Sequence, residues 1–131
     1  MKTAQQLVQE AKATVQEISV QQLHAALTNH QAVLIDVREP DEFAAGHIDR
    51  FVNFPRGVLE MKIHQHPHVS AHCEPMAALE ALAAQPIYLL CRSGARSVLA
   101  AQSLQAMGFS QVYSVIGGFQ AWHEAGLPVE K

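Results

Sequence analysis

Pro86-Ile87-Tyr88-Leu89-Leu90-Cys91-Arg92-Ser93-Gly94-Ala95-Arg96-Ser97 is the stretch on which the fold of this chain turns. Its apolar opening reads as a buried strand that closes at Cys91. Val98, Ala101, Leu104 and Ala106 then recur among small and apolar neighbours, a helical pattern that Gly108 ends. The thiol therefore sits between a strand end and a helix start, in a loop with one glycine and two arginines. Backbone N–H groups at a helix N-terminus have no intrahelical acceptor and favour negative charge. Such a place suits a reactive thiolate nucleophile.

Outward from this loop, apolar strands alternate with helical segments. Ala32-Val33-Leu34-Ile35-Asp36-Val37 is a continuous apolar run of the kind buried on both faces of a sheet. Glu39-Pro40-Asp41-Glu42-Phe43 suits a helix start, with proline in the first turn and acids by the positive dipole end; Gly46 ends that helix. Phe51-Val52-Asn53-Phe54 is a short strand closed by Pro55, and Gln111–Ile116 a further one. Gly117-Gly118 turns into a last helix with Phe119 and Trp122 as packing residues, which stops at Gly126-Leu127-Pro128.

On the N-terminal side, Ala4, Leu7, Val8, Ala11 and Val15 predict an amphipathic helix over 3–16, and Ile18 a short strand. Ser19-Val20-Gln21-Gln22 reads as a capping box opening a helix through Leu27. Val58-Leu59-Glu60-Met61 is a helical turn, His64-Gln65-His66-Pro67-His68 an exposed loop, and Pro75 starts a helix through Ala83. The alternation predicts an α/β fold, a mostly parallel sheet covered by helices on both faces. Ligands of such sheets bind outside the carboxyl ends of the strands, where Cys91 and Asp36-Val37-Arg38 both fall.

With 131 residues, 49% hydrophobic and 16% charged, the chain has the size and composition of one compact domain. A net charge of −3 gives no reason to expect nucleic acid or a membrane as partner, so any attraction for anions is local. No apolar signal core follows Met1, and Cys73 and Cys91 are expected as reduced thiols, which implies a cytoplasmic address. His64, His66, His68, His72 and Cys73 crowd together, yet alternate residues in a proline-containing loop do not preset a tetrahedral metal site. No metal or cofactor is expected, and Cys73 reads as a bystander thiol.

Taken in order, the motifs resemble the single-domain rhodaneses. They are Asp36-Val37-Arg38-Glu39-Pro40, Gly46-His47-Ile48, Asn53-Phe54-Pro55, the Cys91 loop with Ser97, Gly108-Phe109, Gly117-Gly118-Phe119 with Trp122, and Gly126-Leu127-Pro128. The resemblance implies a central five-stranded parallel sheet over 18–131, with the N-terminal amphipathic helix (1–17) outside the family core. That helix packs on the domain or pairs two copies into a homodimer. Arg50-Phe51 stands where many relatives carry Gly-Ala.

The activity implied is sulfur transfer from a small anionic donor such as thiosulfate to a cyanide or thiol acceptor, through a Cys91 persulfide. Arg92, Ser93, Gly94, Ala95, Arg96 and Ser97 are then the substrate-binding loop, with Arg96 the foremost anion-binding side chain. Ser97 serves either the thiolate or a helix-end amide. Asp36 and Arg38 read as a supporting salt bridge, and Arg56 as a candidate for the site rim. Two other classes compete. Cysteine phosphatases, or related arsenate enzymes, carry five residues between Cys and Arg where this loop has four; non-catalytic rhodanese-like binding modules can lose the cysteine that this chain retains.

Overall fold

The computed structural model describes residues 1–131. Five strands, β1 (Gln16–Ile18), β2 (Val33–Asp36), β3 (Val52–Asn53), β4 (Ile87–Leu90) and β5 (Val112–Val115), form one sheet in the order β1-β5-β4-β2-β3. Every pairing is parallel, so all carboxyl ends lie along one edge. The helices are α1 (Ala4–Ala11), α2 (Val20–Ala26), α3 (Pro40–Ala45), α4 (Leu59–Lys62), α5 (Pro75–Ala83), α6 (Ala95–Met107) and α7 (Gly118–Glu124). The expected five-stranded parallel fold with an added N-terminal helix is the one observed.

Side-chain alternation in the strands divides the core into two layers. Val33, Ile35, Ile87, Leu89 and Val112 face α1, α4, α5 and α6, in a cluster that includes Ala11, Leu59, Leu82, Val98, Ala101 and Leu104. Leu34, Leu90 and Val115 face the other way, toward Leu23 of α2 and Trp122 of α7. Ile87 and Leu89 are wholly buried, and each such side chain stabilises the fold by roughly 1.5–3 kcal/mol. The same alternation places Cys91, two residues beyond Leu89, on the α6 side, and Ser114, two beyond Val112, beside it.

The capping box opens α2 as its sequence implies: Gln22 N–H donates to Ser19 Oγ (3.1 Å) and Ser19 N–H to Gln22 Oε1 (2.7 Å). The N-terminal helix is shorter than 3–16, because the chain turns after Ala11 to seat Val15 in the core and to pair Gln16–Ile18 with β5. Arg50 has φ +74 in the turn before β3. This left-handed conformation costs a side-chain-bearing residue about 1–2 kcal/mol. Its guanidinium meanwhile donates to the Leu27 carbonyl (2.9 Å) beyond the end of α2, which offsets part of that cost.

The exposed loop expected over His64–His68 is a correction. Two 3₁₀ turns, Ile63–Gln65 and Pro67–Val69, occupy it. Ile63, His66 and Val69 are all buried, with His66 in the extended break (φ −56, ψ 139) between the two turns. His66 Nδ1 accepts from His68 N–H (3.1 Å), its ring meets Phe54 edge-on, and its Nε2 has no partner. Burial first, then the neighbouring His68, pushes the His66 pKa down to about 4. The folded state thus holds His66 neutral where the unfolded chain, near pKa ~6.5, binds a proton. Stability from this group is complete above pH ~6.5 and is lost as pH falls toward 4, by up to about 3 kcal/mol. Urea denaturation from pH 7 to pH 4 should show this loss in the wild type and a correspondingly shallower one in His66→Phe.

Candidate active site

Cys91 is 1% exposed, and its Sγ accepts from Gly94 N–H at 3.0 Å. Gly94 reaches this position at φ +102, where an added Cβ would sit 3.2 Å from Gly117 N. Ser97, in the first turn of α6, places its Oγ 3.3 Å from the sulfur and 2.7 Å from Ser114 Oγ. Its hydroxyl thus faces the thiol and not a helix-end amide. Ala95, Arg96 and Ser97 open the helix, so their N–H groups have no intrahelical acceptor. No other acceptor meets them, or the N–H groups of Arg92 and Ser93. Donors of this kind around one sulfur stabilise negative charge on it or on a group attached to it.

The loop itself is fixed from behind by α7. Phe119 N–H donates to the Cys91 carbonyl (2.8 Å) and Gln120 N–H to the Arg92 carbonyl (3.0 Å). This close approach requires Gly118, at φ +56, because a Cβ there would lie 2.3 Å from the Cys91 carbonyl oxygen.

Asp36 and Arg38, at the end of β2, form a buried salt bridge with side-chain exposures of 0% and 4%. Arg38 Nε and Nη2 donate to the carboxylate at 2.8–3.1 Å, and Nη2 also donates to the Gly46 carbonyl. The guanidinium lies 4.3 Å from the centroid of the Phe119 ring. This pair therefore joins β2, the end of α3 and the start of α7. Breaking such a pair from one side leaves an uncompensated buried charge.

Arg96 turns its guanidinium onto Glu42 of α3 in a two-pronged contact: Nη1 to Oε1 (2.8 Å) and Nη2 to Oε2 (3.0 Å). Glu42 Oε1 also accepts from Glu39 N–H (3.0 Å). The Arg96 hydrogen bonds, above all, hold the Glu42 pKa down to about 2, and the same contact raises that of Arg96. Arg92 is exposed, and its side chain has no partner in the protein. Ser93 is likewise exposed. Arg56 bonds to Glu60 and to Ser103 Oγ of α6, apart from the sulfur loop. Beside the loop, between α3 and α7, lies an open cleft of about 430 Å³. Arg38, Glu42, Arg92, Phe119, His123 and Glu124 are among its walls.

The sequence motifs thus converge on Cys91, and the structure adds Glu42 and Ser114 to the site. Glu42 read only as a helix-start acid. Ser114 carried a weak signal, a polar residue on the inward-facing register of an apolar strand. The histidines of the 64–72 segment do not converge: His66 is spent on His68 N–H, while His68 Nε2 lies 3.2 Å from the Ala32 carbonyl. Cys73 is an exposed free thiol.

Residues 19–125 match the rhodanese-like domain, and the chain belongs to that family. Over 113 residues it is 34% identical to the thiosulfate sulfurtransferase GlpE of Vibrio cholerae, spanning 86% of this chain and 92% of the relative. A Rhodopseudomonas palustris protein of unknown function, a possible tyrosine phosphatase, superposes with a TM-score of 0.80 at 30% identity over 99% of this chain and 96% of that one. The polysulfide-sulfur transferase homodimer of Wolinella succinogenes gives a TM-score of 0.71 at 29% identity, covering 95% of this chain and 84% of that one. Family and relatives together support sulfurtransferase activity. No helix is long and apolar enough to cross a membrane.

Two substitutions probe the scaffold behind the loop. Gly118→Ala should cost about 1–3 kcal/mol in urea denaturation, because Cβ must displace the Cys91–Arg92 backbone. Asp36→Ala should cost about 3–5 kcal/mol by leaving the buried Arg38 charge unpaired. A loss below about 0.5 kcal/mol in either would contradict the assignment.

Proposed function

We propose that this protein is a thiosulfate-type sulfurtransferase that carries sulfane sulfur on Cys91. The observation that supports this most is the setting of one sulfur: Gly94 N–H donates to it at 3.0 Å, Ser97 Oγ lies 3.3 Å away, and the remaining N–H groups of the same loop have no other acceptor. In the first half-reaction the Cys91 thiolate attacks the outer sulfur of thiosulfate. A sulfur–sulfur bond forms, the sulfur–sulfur bond of the donor breaks, and its electron pair leaves with sulfite. The Cys91 persulfide keeps one negative charge, which the loop amides stabilise. In the second half-reaction cyanide or a thiolate attacks the terminal sulfur and releases the Cys91 thiolate. The sequence is covalent catalysis with ping-pong kinetics.

Ser114 can donate to Ser97, which leaves the Ser97 proton for the sulfur; this orders the hydroxyls without a general base. Arg92, exposed and unpaired, draws anions to the loop. Arg96 offers a planar fork that fits an oxyanion, once freed from Glu42. Both cysteines are free thiols, in keeping with a reducing cytoplasm as the place of action.

The phosphatase reading draws on the Rhodopseudomonas palustris relative. The loop weighs against it, with only Arg92, Ser93, Gly94 and Ala95 between Cys91 and Arg96. The scaffold reading leaves the donors around Cys91 without a purpose. Intact-mass measurement after incubation with thiosulfate separates the three. The wild type should gain one sulfur atom, lose it to cyanide, and show no turnover of an aryl phosphate. Cys91→Ser should fold normally and gain nothing. An unmodified wild type, or a sulfur retained in Cys91→Ser, would contradict the reading.

A further inference from the structure

Three arginines already have carboxylate partners: Arg38 with Asp36, Arg56 with Glu60 and Arg96 with Glu42. The first is sealed in the core and the second lies apart from the loop. The third is different in kind. Arg96 belongs to the loop that holds Cys91, and Glu42 reaches it from another element, α3. The two-pronged geometry is the one an oxyanion would adopt on a guanidinium. Side-chain exposures of 37% for Arg96 and 27% for Glu42 leave the pair open to solvent, so exchange of one carboxylate for another anion needs no unfolding. Glu42 also lines the cleft beside the exposed Arg92.

We infer that Glu42 is a specificity-determining residue: its carboxylate occupies the anion-binding face of Arg96 and so handicaps anionic sulfur donors relative to uncharged ones. Two physical effects act together. An oxyanion must displace Glu42 to engage Arg96, and the displaced carboxylate then repels it across the cleft. An uncharged reagent meets neither. Glu42 acts through Arg96 and touches no reacting atom, so it is a positioning and specificity residue. The inference about donors rests on the sulfurtransferase reading; the charge competition at Cys91 does not.

Two near-isosteric alkylating reagents, iodoacetate and iodoacetamide, separate charge from access. Their rates at Cys91 are measured by mass spectrometry in a Cys73→Ser background, which removes the exposed second thiol. Glu42→Gln keeps an oxygen to accept from Glu39 N–H, so the start of α3 is preserved. It should speed iodoacetate about five-fold, the factor that corresponds to a partly exposed ion pair, and leave iodoacetamide unchanged. The thiosulfate KM should fall by about the same factor with kcat unaltered. In an Arg96→Ala background only the repulsion across the cleft remains to be relieved, so the same substitution should give a smaller acceleration of iodoacetate and still none of iodoacetamide. Equal changes with both reagents, no change with either, or slower iodoacetate would overturn the inference. Were thiosulfate turnover absent while reagent selectivity shifted as stated, the donor reading would fall and the charge competition would stand.

Discussion

Two hydrogen bonds from the first turn of α7 hold the sulfur loop in place, Phe119 N–H to the Cys91 carbonyl and Gln120 N–H to the Arg92 carbonyl. They satisfy amides that a helix N-terminus would otherwise leave to water, and they tie the Cys91 and Arg92 carbonyls to α7. Gly94 N–H is then free to meet the Cys91 sulfur, and the N–H groups of Arg92, Ser93, Ala95, Arg96 and Ser97 have no other acceptor. The contact is possible only because residue 118 has no side chain. A parallel sheet supplies the rest: every carboxyl end lies on one edge, so β4, β2 and β5 bring Cys91, Asp36 and Ser114 to neighbouring positions.

Charge is distributed in layers around this loop. Deepest is the Asp36–Arg38 pair, whose task is to join the end of β2 to α3 and α7, with Phe119 stacked on the guanidinium. Further out, Glu42 and Arg96 form a half-exposed pair between α3 and α6. Outermost is Arg92, exposed and unpartnered. A chain of net charge −3 thus offers an anion one free guanidinium and one that is already engaged. That arrangement favours selection among sulfur donors over indiscriminate attraction of anions.

Much of this was legible in the sequence because the strands are apolar runs bounded by turn residues. Val33–Asp36 and Ile87–Leu90 appear where their β-branched and aliphatic residues place them, and Gly108 ends α6 as expected. What escaped the sequence depended on contacts between distant segments. Glu42 and Arg96 are fifty-four residues apart, and nothing local marks them as partners. The N-terminal helix ends early because β5 offers Gln16–Ile18 a partner, a tertiary preference that helical periodicity does not register. His64–His68 looked solvated because histidine and proline are polar or helix-breaking. It forms two 3₁₀ turns instead, and His66, extended between them, is buried along with Ile63 and Val69.

The central claim is that the amides from Arg92 to Ser97 exist to hold charge on a sulfur chain that begins at Cys91. A crystal structure of the thiosulfate-treated protein tests it most directly. Electron density should show one added sulfur on Cys91 Sγ, within about 3.5 Å of several of those N–H groups, with α7 still bonded to the Cys91 and Arg92 carbonyls. A sulfur on Cys73 alone, or a Cys91 side chain turned into the core with the loop amides facing solvent, would contradict the account.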